Sequence, residues 1–230
     1  MHIPKPFRTN RSDCLALAER RGFGLVCAHD GKMPVVSWLP FHIAYAGDGT
    51  PVATFHVARA NALASPALHN QTWLLAINEV DAYVSPRWYA SPQQVPTWLY
   101  KAVNLSGPVR GIGQAGLVQH LDVLAAHFES AAAPLSPWTM DEVAAGRRAA
   151  LTGAIVGLSM QVERIEGSFK LNQHKSDADH VAVATALAAQ DDAGAKRIAA
   201  DMRAMRPQAF AAERPDDVAA NPSGRCAAAH

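Results

Sequence analysis

Two short segments of this chain hold the groups best suited to a charged ligand. FHVARANAL, at 55–63, joins a strand-like run to a helix-like one. Backbone N–H groups at a helix start attract anions, and Arg59 would add a planar, permanently charged guanidinium. Asn61 suits either a helix cap or a donor to a phosphate oxygen. A capped helix with a solvent-facing arginine explains the same residues without a ligand. KLNQHK, at 170–175, is the second segment. Here Lys170, Asn172 and Gln173 could donate to a phosphate or to the edge of a heterocycle. Helix capping beside a solvated lysine is the ordinary alternative.

A third candidate is aromatic. VSPRWYASPQQVPTWLYKAV, at 84–103, carries Trp88, Tyr89, Trp98 and Tyr100, with Tyr83 just upstream. A plain core fills more simply with Leu, Ile and Val, because a buried Trp or Tyr needs a partner for its polar atom. Pro86, Pro92 and Pro96 stiffen the path of the chain. Rings held on a stiff backbone beside Ser85, Arg87, Ser91 and Thr97 suit a flat, hydrogen-bonding ligand, with Ser85, Trp88 and Trp98 as its candidate contacts. They suit a dimer interface equally well, since Trp, Tyr and Arg are enriched there. The two readings merge if the ligand lies between subunits.

Other chemistries lack support. The chain has no G-x-x-x-x-G-K-[ST], no G-x-G-x-x-G and no H-E-x-x-H. Its histidines are scattered, and His174 and His180 are poorly spaced for one metal on one helix face. Cys14, Cys27 and Cys226 form neither a zinc spacing nor an even disulfide set. The formal charge of +1 gives no basic excess for non-specific nucleic-acid binding. A hydrophobic fraction of 49% against 18% charged residues allows a sizeable core. MHIPKPFRTN lacks the apolar stretch of a signal peptide, and no apolar run reaches membrane-spanning length. A soluble, cytoplasmic protein is expected.

The elements that must position these groups read as follows. A helix is predicted over 12–21, capped by Ser12 and ended by Gly22. Strands are predicted over 23–29, 34–45 and 51–58, with turns at DGK and GDGT. A short helix is expected over 59–70, strands over 71–80 and 82–85, and a long β-rich run over 97–113. Leu117, Leu121, Leu124 and Phe128 give a helix over 115–132, and a second follows over 140–153. Val156, Leu158, Met160 and Val162 alternate with small or polar residues, as in a strand buried on one face. EGSF reads as a turn, followed by helices from Ser176 or Asp177 to Gln190 and over 191–205. The Ala- and Pro-rich remainder has no period. Hairpins with helices between strand groups, and no βαβ alternation, indicate an α+β domain on an antiparallel barrel or sheet. The expected division is a barrel domain over 1–168 with inserted helices, a helical segment over 169–206 packed on the barrel, and a disordered tail over 207–230.

The motifs YVSPRWYAS, VPTWLYKAV, ARAN, AIVGLSMQVERIEGSFKLNQ and the opening MHIPKPF resemble, in order, those of the PaiB-type family of FMN-binding negative transcriptional regulators. The resemblance runs from Met1 to about Leu187. It implies an antiparallel split β-barrel, related to pyridoxamine-phosphate oxidases and flavin reductases. It also implies a homodimer with FMN at the subunit interface. On that resemblance Arg59 and Asn61 face the FMN phosphate, Lys170 and Gln173 complete the site, and Ser85, Trp88 and Trp98 belong to the pocket wall and dimer contact. The family's PTWNY reads here with Leu99 for Asn, its AVH with Asn104 for His, and its KLSQN as KLNQH. The implied role is a negative transcriptional regulator or flavin-linked sensor. Alternatives on the same fold are a flavin-dependent oxidoreductase and, further off, a haem-binding barrel using His174 or His56. DNA as a partner follows from the family alone. Lys196, Arg197, Arg203 and Arg206 alternate with aspartates, as on a solvated mixed-charge face.

Overall fold

The computed structural model describes residues 2–211, so Cys226 and most of the expected tail lie outside the described residues. The chain forms two compact units, Met1–Asp81 with Leu99–Gln173, and Ala82–Trp98 with the chain from His174 onward. The first unit is a barrel. Its elements are α1 (Arg11–Arg21), β1 (Phe23–His29), β2 (Pro34–Tyr45), β3 (Pro51–Ala58), β4 (Thr72–Val84), β5 (Thr97–Gly111), α2 (Gln114–Ala132), α3 (Ala145–Gly153), β6 (Ile155–Gln161) and β7 (Arg164–Lys170), the ends of β4 and β5 running into the second unit. The strand order is β4-β1-β2-β3-β6-β5-β7, and β4 also pairs with β5, which closes the sheet into a ring. Closure leaves few free edges to aggregate.

Alternation along β1, β4 and β5 sends every second side chain toward one core. Phe41, Phe55, Trp73, Leu75, Leu105, Leu158 and Met160 are fully buried in it. The indole N–H of Trp73 donates to the Leu68 carbonyl at 2.9 Å, which satisfies its one polar atom. Helix α1 adds Cys14, Leu17 and Ala18 to the same core. Burial pushes the Cys14 thiol up to about 11, which makes it an inert packing group.

Three local expectations are corrected. Helix α1 is capped by Asn10, whose side chain accepts from the Asp13 N–H; Ser12 donates to Asn10 instead. The segment 59–70 is not a helix but two 3-10 turns, Ala62–Ala64 and Pro66–Leu68. The clash of Pro66 with its neighbour holds Ser65 extended and stops α-helical propagation. EGSF lies inside β7, not in a turn, and β7 pairs with β5 from Tyr100↔Lys170 to Ser106↔Arg164. The direction changes earlier, at Val162 and Glu163, where Gly107 lets the Gln161 carbonyl approach its Cα. Position 167 is glycine because a Cβ there would collide with the Cys14 sulfur and Thr9 Cγ2.

The second unit contains the 3-10 turn Pro86–Trp88 and helices α4 (Asp177–Ala188), α5 (Ala193–Met205) and α6 (Pro207–Ala211). Ser176 and Asp192 cap α4 and α5 through their side chains. His180 on α4 is fully buried, and one ring nitrogen lies 3.0 Å from the Met202 carbonyl on α5. Helix α6 takes up residues 207–211, the start of the expected tail. Among the described residues no helix is long and apolar enough to cross a membrane.

Candidate functional site

Arg59 follows the last residue of β3 and is exposed. Its Nε donates to the Gly153 carbonyl at 3.0 Å and one Nη to the Ile155 carbonyl at 3.2 Å. These bonds fix the guanidinium plane. Of its five N–H donors two are engaged, leaving three for an anion. Both polar atoms of the Asn61 side chain are engaged inside the fold. Its carbonyl oxygen caps the first 3-10 turn at Leu63 N, and its amide donates to Ser37 Oγ at 2.8 Å. Asn61 therefore shapes the corner that carries Arg59.

Lys170 ends β7, with its ammonium 5.9 Å from the centre of the Phe7 ring. Gln173 turns back on its own segment, accepting from Leu171 N and donating to the Phe169 carbonyl. Between them, Asn172 is fully buried with φ of +60°. Asn is one of the few residues that adopts this backbone at low cost. The strand register separates the two polar segments. Lys170 pairs with Tyr100 near one end of β5, whereas Arg59 lies beside Ile155, beyond the far end, where Gly111 pairs with Leu158. At ~3.3 Å per residue that is a path on the order of 30 Å along the strand. Residues 59–61 and 170–173 of one chain thus do not meet around one small anion.

In the second unit, the Tyr83 ring meets Trp88 and Trp98 edge-on, with centroids 6.5 and 6.0 Å apart. Trp98 is 54% exposed and Tyr83 46%, so this cluster is a surface platform and not core. Ser85 caps the 3-10 turn beneath Trp88 by accepting from Arg87 N. The segment after the turn is held by a network with no signature in the sequence. Both oxygens of the buried Asp179 accept from Ser91, one from its N–H and one from its hydroxyl, each at 2.8 Å. Gln94 donates to Ser91 Oγ at 2.7 Å and accepts from Lys175 at 2.6 Å. Lys175 also lies 5.2 Å from the centre of the Tyr89 ring. Burial alone would raise the pKa of Asp179. The bonds from Ser91 and Ser176 and the charge of Lys175 outweigh burial and hold the carboxyl below its usual range.

Two further features were not expected from sequence. A concavity of about 780 Å³ lies among α2, the connector after it and α3, lined by Val118, Trp138, Met140, Arg148 and Ala149. None of the sequence-predicted site residues lines it. His42, His56 and His120 form a chain between β2, β3 and α2, with ring nitrogens 3.0 Å apart at each link. His120 uses Nε2 toward one neighbour and Nδ1 toward the other, so the three rings do not converge on one ion. Among the described residues no set of three or more His, Cys, Asp or Glu is arranged to hold a metal.

Comparison with known proteins matches residues 1–164 to the family model described as "Putative FMN-binding domain". A protein of Bacillus subtilis (strain 168), named protease synthase and sporulation protein PAI 2, is 26% identical over 200 residues. That alignment covers 86% of this chain and 95% of the relative. Among solved structures, the flavocytochrome Anf3 from Azotobacter vinelandii superposes with a TM-score of 0.53 at 17% identity, covering 74% of this chain and 72% of the other. The FAD and heme binding protein from Mycobacterium smegmatis gives 0.50 at 17% identity, covering 70% and 72%. At such identities these two similarities speak for the barrel fold.

Proposed function

Because the chain belongs to the FMN-binding domain family, we propose that it is a homodimeric flavin-binding split-barrel protein acting as a negative regulator or flavin-linked sensor. Arg59 carries the reading. Its guanidinium is oriented by two backbone carbonyls and keeps three N–H groups for the FMN phosphate. Lys170 is the second cation of the proposed site. Since it lies so far from Arg59 along one chain, the two belong to one phosphate and ring site only if two copies contribute. The isoalloxazine would rest against the exposed rings of Tyr83 and Trp98, whose flat apolar faces suit a tricyclic ligand. Ser85 and Trp88 support that platform, and Asn61 and Gln173 hold the two cationic corners. Bound flavin would supply electron or hydride transfer, and the chain would supply binding and orientation.

Self-association is supported by a second exposed apolar strip. Val36 and Trp38 on β2 are 55% and 60% exposed, and Trp38 stacks on Phe23 with centroids 6.0 Å apart. A regulatory output on DNA rests on the family resemblance. The basic residues of α5 do not add to it, because Lys196 and Arg197 pair with Asp191 and Asp201, and Arg203 lies over the Phe210 ring. The reading is tested by titrating purified protein with FMN and following quenching of flavin fluorescence. Saturation at one FMN per chain, in a species of twice the chain mass, is expected. Protein that leaves micromolar FMN unquenched would remove the cofactor and the role together.

A further inference from the structure

Helix α2 lies on the outside of the barrel, and its contact with β2 and β3 is partly polar. Leu117, His120 and Leu124 are its buried side chains, at the i, i+3, i+7 spacing of one helix face. His120, only 1% exposed, sits between His56 Nδ1, 3.0 Å from its Nε2, and His42 Nδ1, 3.0 Å from its Nδ1. His42 and His56 come from adjacent strands: His42 pairs with Thr54, and His56 lies two residues farther on the same face of β3. Gly157, opposite His56 on β6, makes room for Ile112 and Leu117 where α2 begins.

From this arrangement we propose that the His42–His120–His56 chain is a proton-operated latch, holding α2 on the barrel while at least two of the rings are neutral and releasing it when a second proton enters.

Proton counting gives the threshold. Each of the two ring-to-ring contacts holds one proton, donated by one nitrogen and accepted by the other. The outer Nε2 atoms of His42 and His56 hold one each, so the intact chain accommodates four. Three neutral imidazoles bring three protons and fit. A fourth also fits, on the outer nitrogen still vacant. A fifth places N–H against N–H at one contact, and a link must break.

Burial opposes charging of the three rings, and most of the groups around them are neutral. The concavity beside His120 and Thr54 is lined by the neutral Ile43, Ala44, Ile112, Gly116, Gln119 and Val123, with His42. Strand β6 presents Gly157 and Ser159, also neutral. The concavity beside His42 includes Glu19, Arg20 and His127. Of these, Glu19 accepts from the Tyr45 hydroxyl, Arg20 is paired with Glu79, and His127 repels a charge on His42. Burial first, then the flanking rings, lowers His120 to about 3, and burial lowers His42 and His56 as well.

The sign follows from these directions. Once α2 lifts, all three rings regain the ordinary imidazole pKa of about 6.5. The open form therefore binds two or three more protons than the closed form below that pH, and closure is complete only above it. The opening constant should rise about a hundredfold or more per pH unit below about 6.

The test is amide hydrogen exchange on the full-length protein at several pH values from 7.5 to 5, corrected for intrinsic exchange. Protection of 114–126 should fall at least a hundredfold between about pH 6 and 5, while amides of β1 and β5 keep theirs within a few-fold. His120→Phe, which keeps the site filled and removes the chain, should abolish the pH dependence of α2. Should that variant not fold, His42→Gln leaves one contact and should lower the proton slope by about one. Loss of protection in α2 and barrel together, or an α2 indifferent to pH across this range, would overturn the latch.

Discussion

Replacing Asp179 by Ala removes the acceptor for two hydrogen bonds from Ser91, which tie the segment 89–94 to helix α4. Bonds to a charged acceptor contribute about 1.5–3 kcal/mol each, and two on one carboxylate are not additive. The expected loss is therefore about 3 kcal/mol, a large part of the ~5–15 kcal/mol that stabilises a typical domain. Asp179→Asn keeps the shape and one good acceptor and should lose about half as much. Asp177→Ala, two residues away and paired with Arg206 at the surface, is the control and should cost under ~1 kcal/mol. Urea unfolding followed by tryptophan fluorescence reads the effect directly, because Trp88 and Trp98 belong to the unit being loosened. The pH dependence has a fixed sign. With its folded pKa lowered, Asp179 stabilises fully above the unfolded value of about 3.9, and the contribution is lost as pH falls through the lowered folded value. The wild type and Asp179→Ala should converge in strong acid. Equal urea midpoints at neutral pH, with equal protease sensitivity around residues 90–97, would mean that the network does not hold the aromatic segment in place.

Arg59→Ala should weaken FMN binding by roughly ten- to a hundredfold, and Arg59→Lys should recover little, because an ammonium cannot keep both carbonyl contacts and still face a phosphate. Unchanged quenching titrations for both variants would move the phosphate elsewhere. Leu99→Asn, which restores the residue of the related family, should destabilise the barrel by about 2–4 kcal/mol, since Leu99 is fully buried. A thermal midpoint at or above that of the wild type would show that the pocket has a partner ready for the amide.

The parts of this fold legible in the sequence are those set by local physics. Gly22 marks the end of α1 because the chain leaves the helix with φ of +54°, which costs a glycine little. The alternation of Leu158 with Met160 identifies β6 because the barrel buries one face of that strand. Strand β7 was hidden for the complementary reason. Its buried positions are Gly167, where Cys14 of α1 leaves no room for a side chain, and the polar Ser168, so Ile165 and Phe169 stand too far apart to give a readable period. The helix α2 stripe was half legible: Leu117 and Leu124 are buried as expected, but the third position on that face is His120, while Phe128 is 39% exposed.

The candidate site follows the same division. Arg59 and the aromatic segment stand out because charge, ring content and proline are properties of single residues and short windows. The groups that orient them are properties of contact. Ser91 and Asp179 are 88 residues apart, and His120 is 64 from His56 and 78 from His42. No local pattern announces such partners, since a serine, an aspartate or a histidine alone reads as a cap or a surface group. Each becomes specific only when closure of the barrel, or packing of α4, brings its partner within 3 Å. The proposed site therefore depends on recognisable residues held by unrecognisable ones, and variants of Asp179 should perturb it without touching a predicted ligand contact.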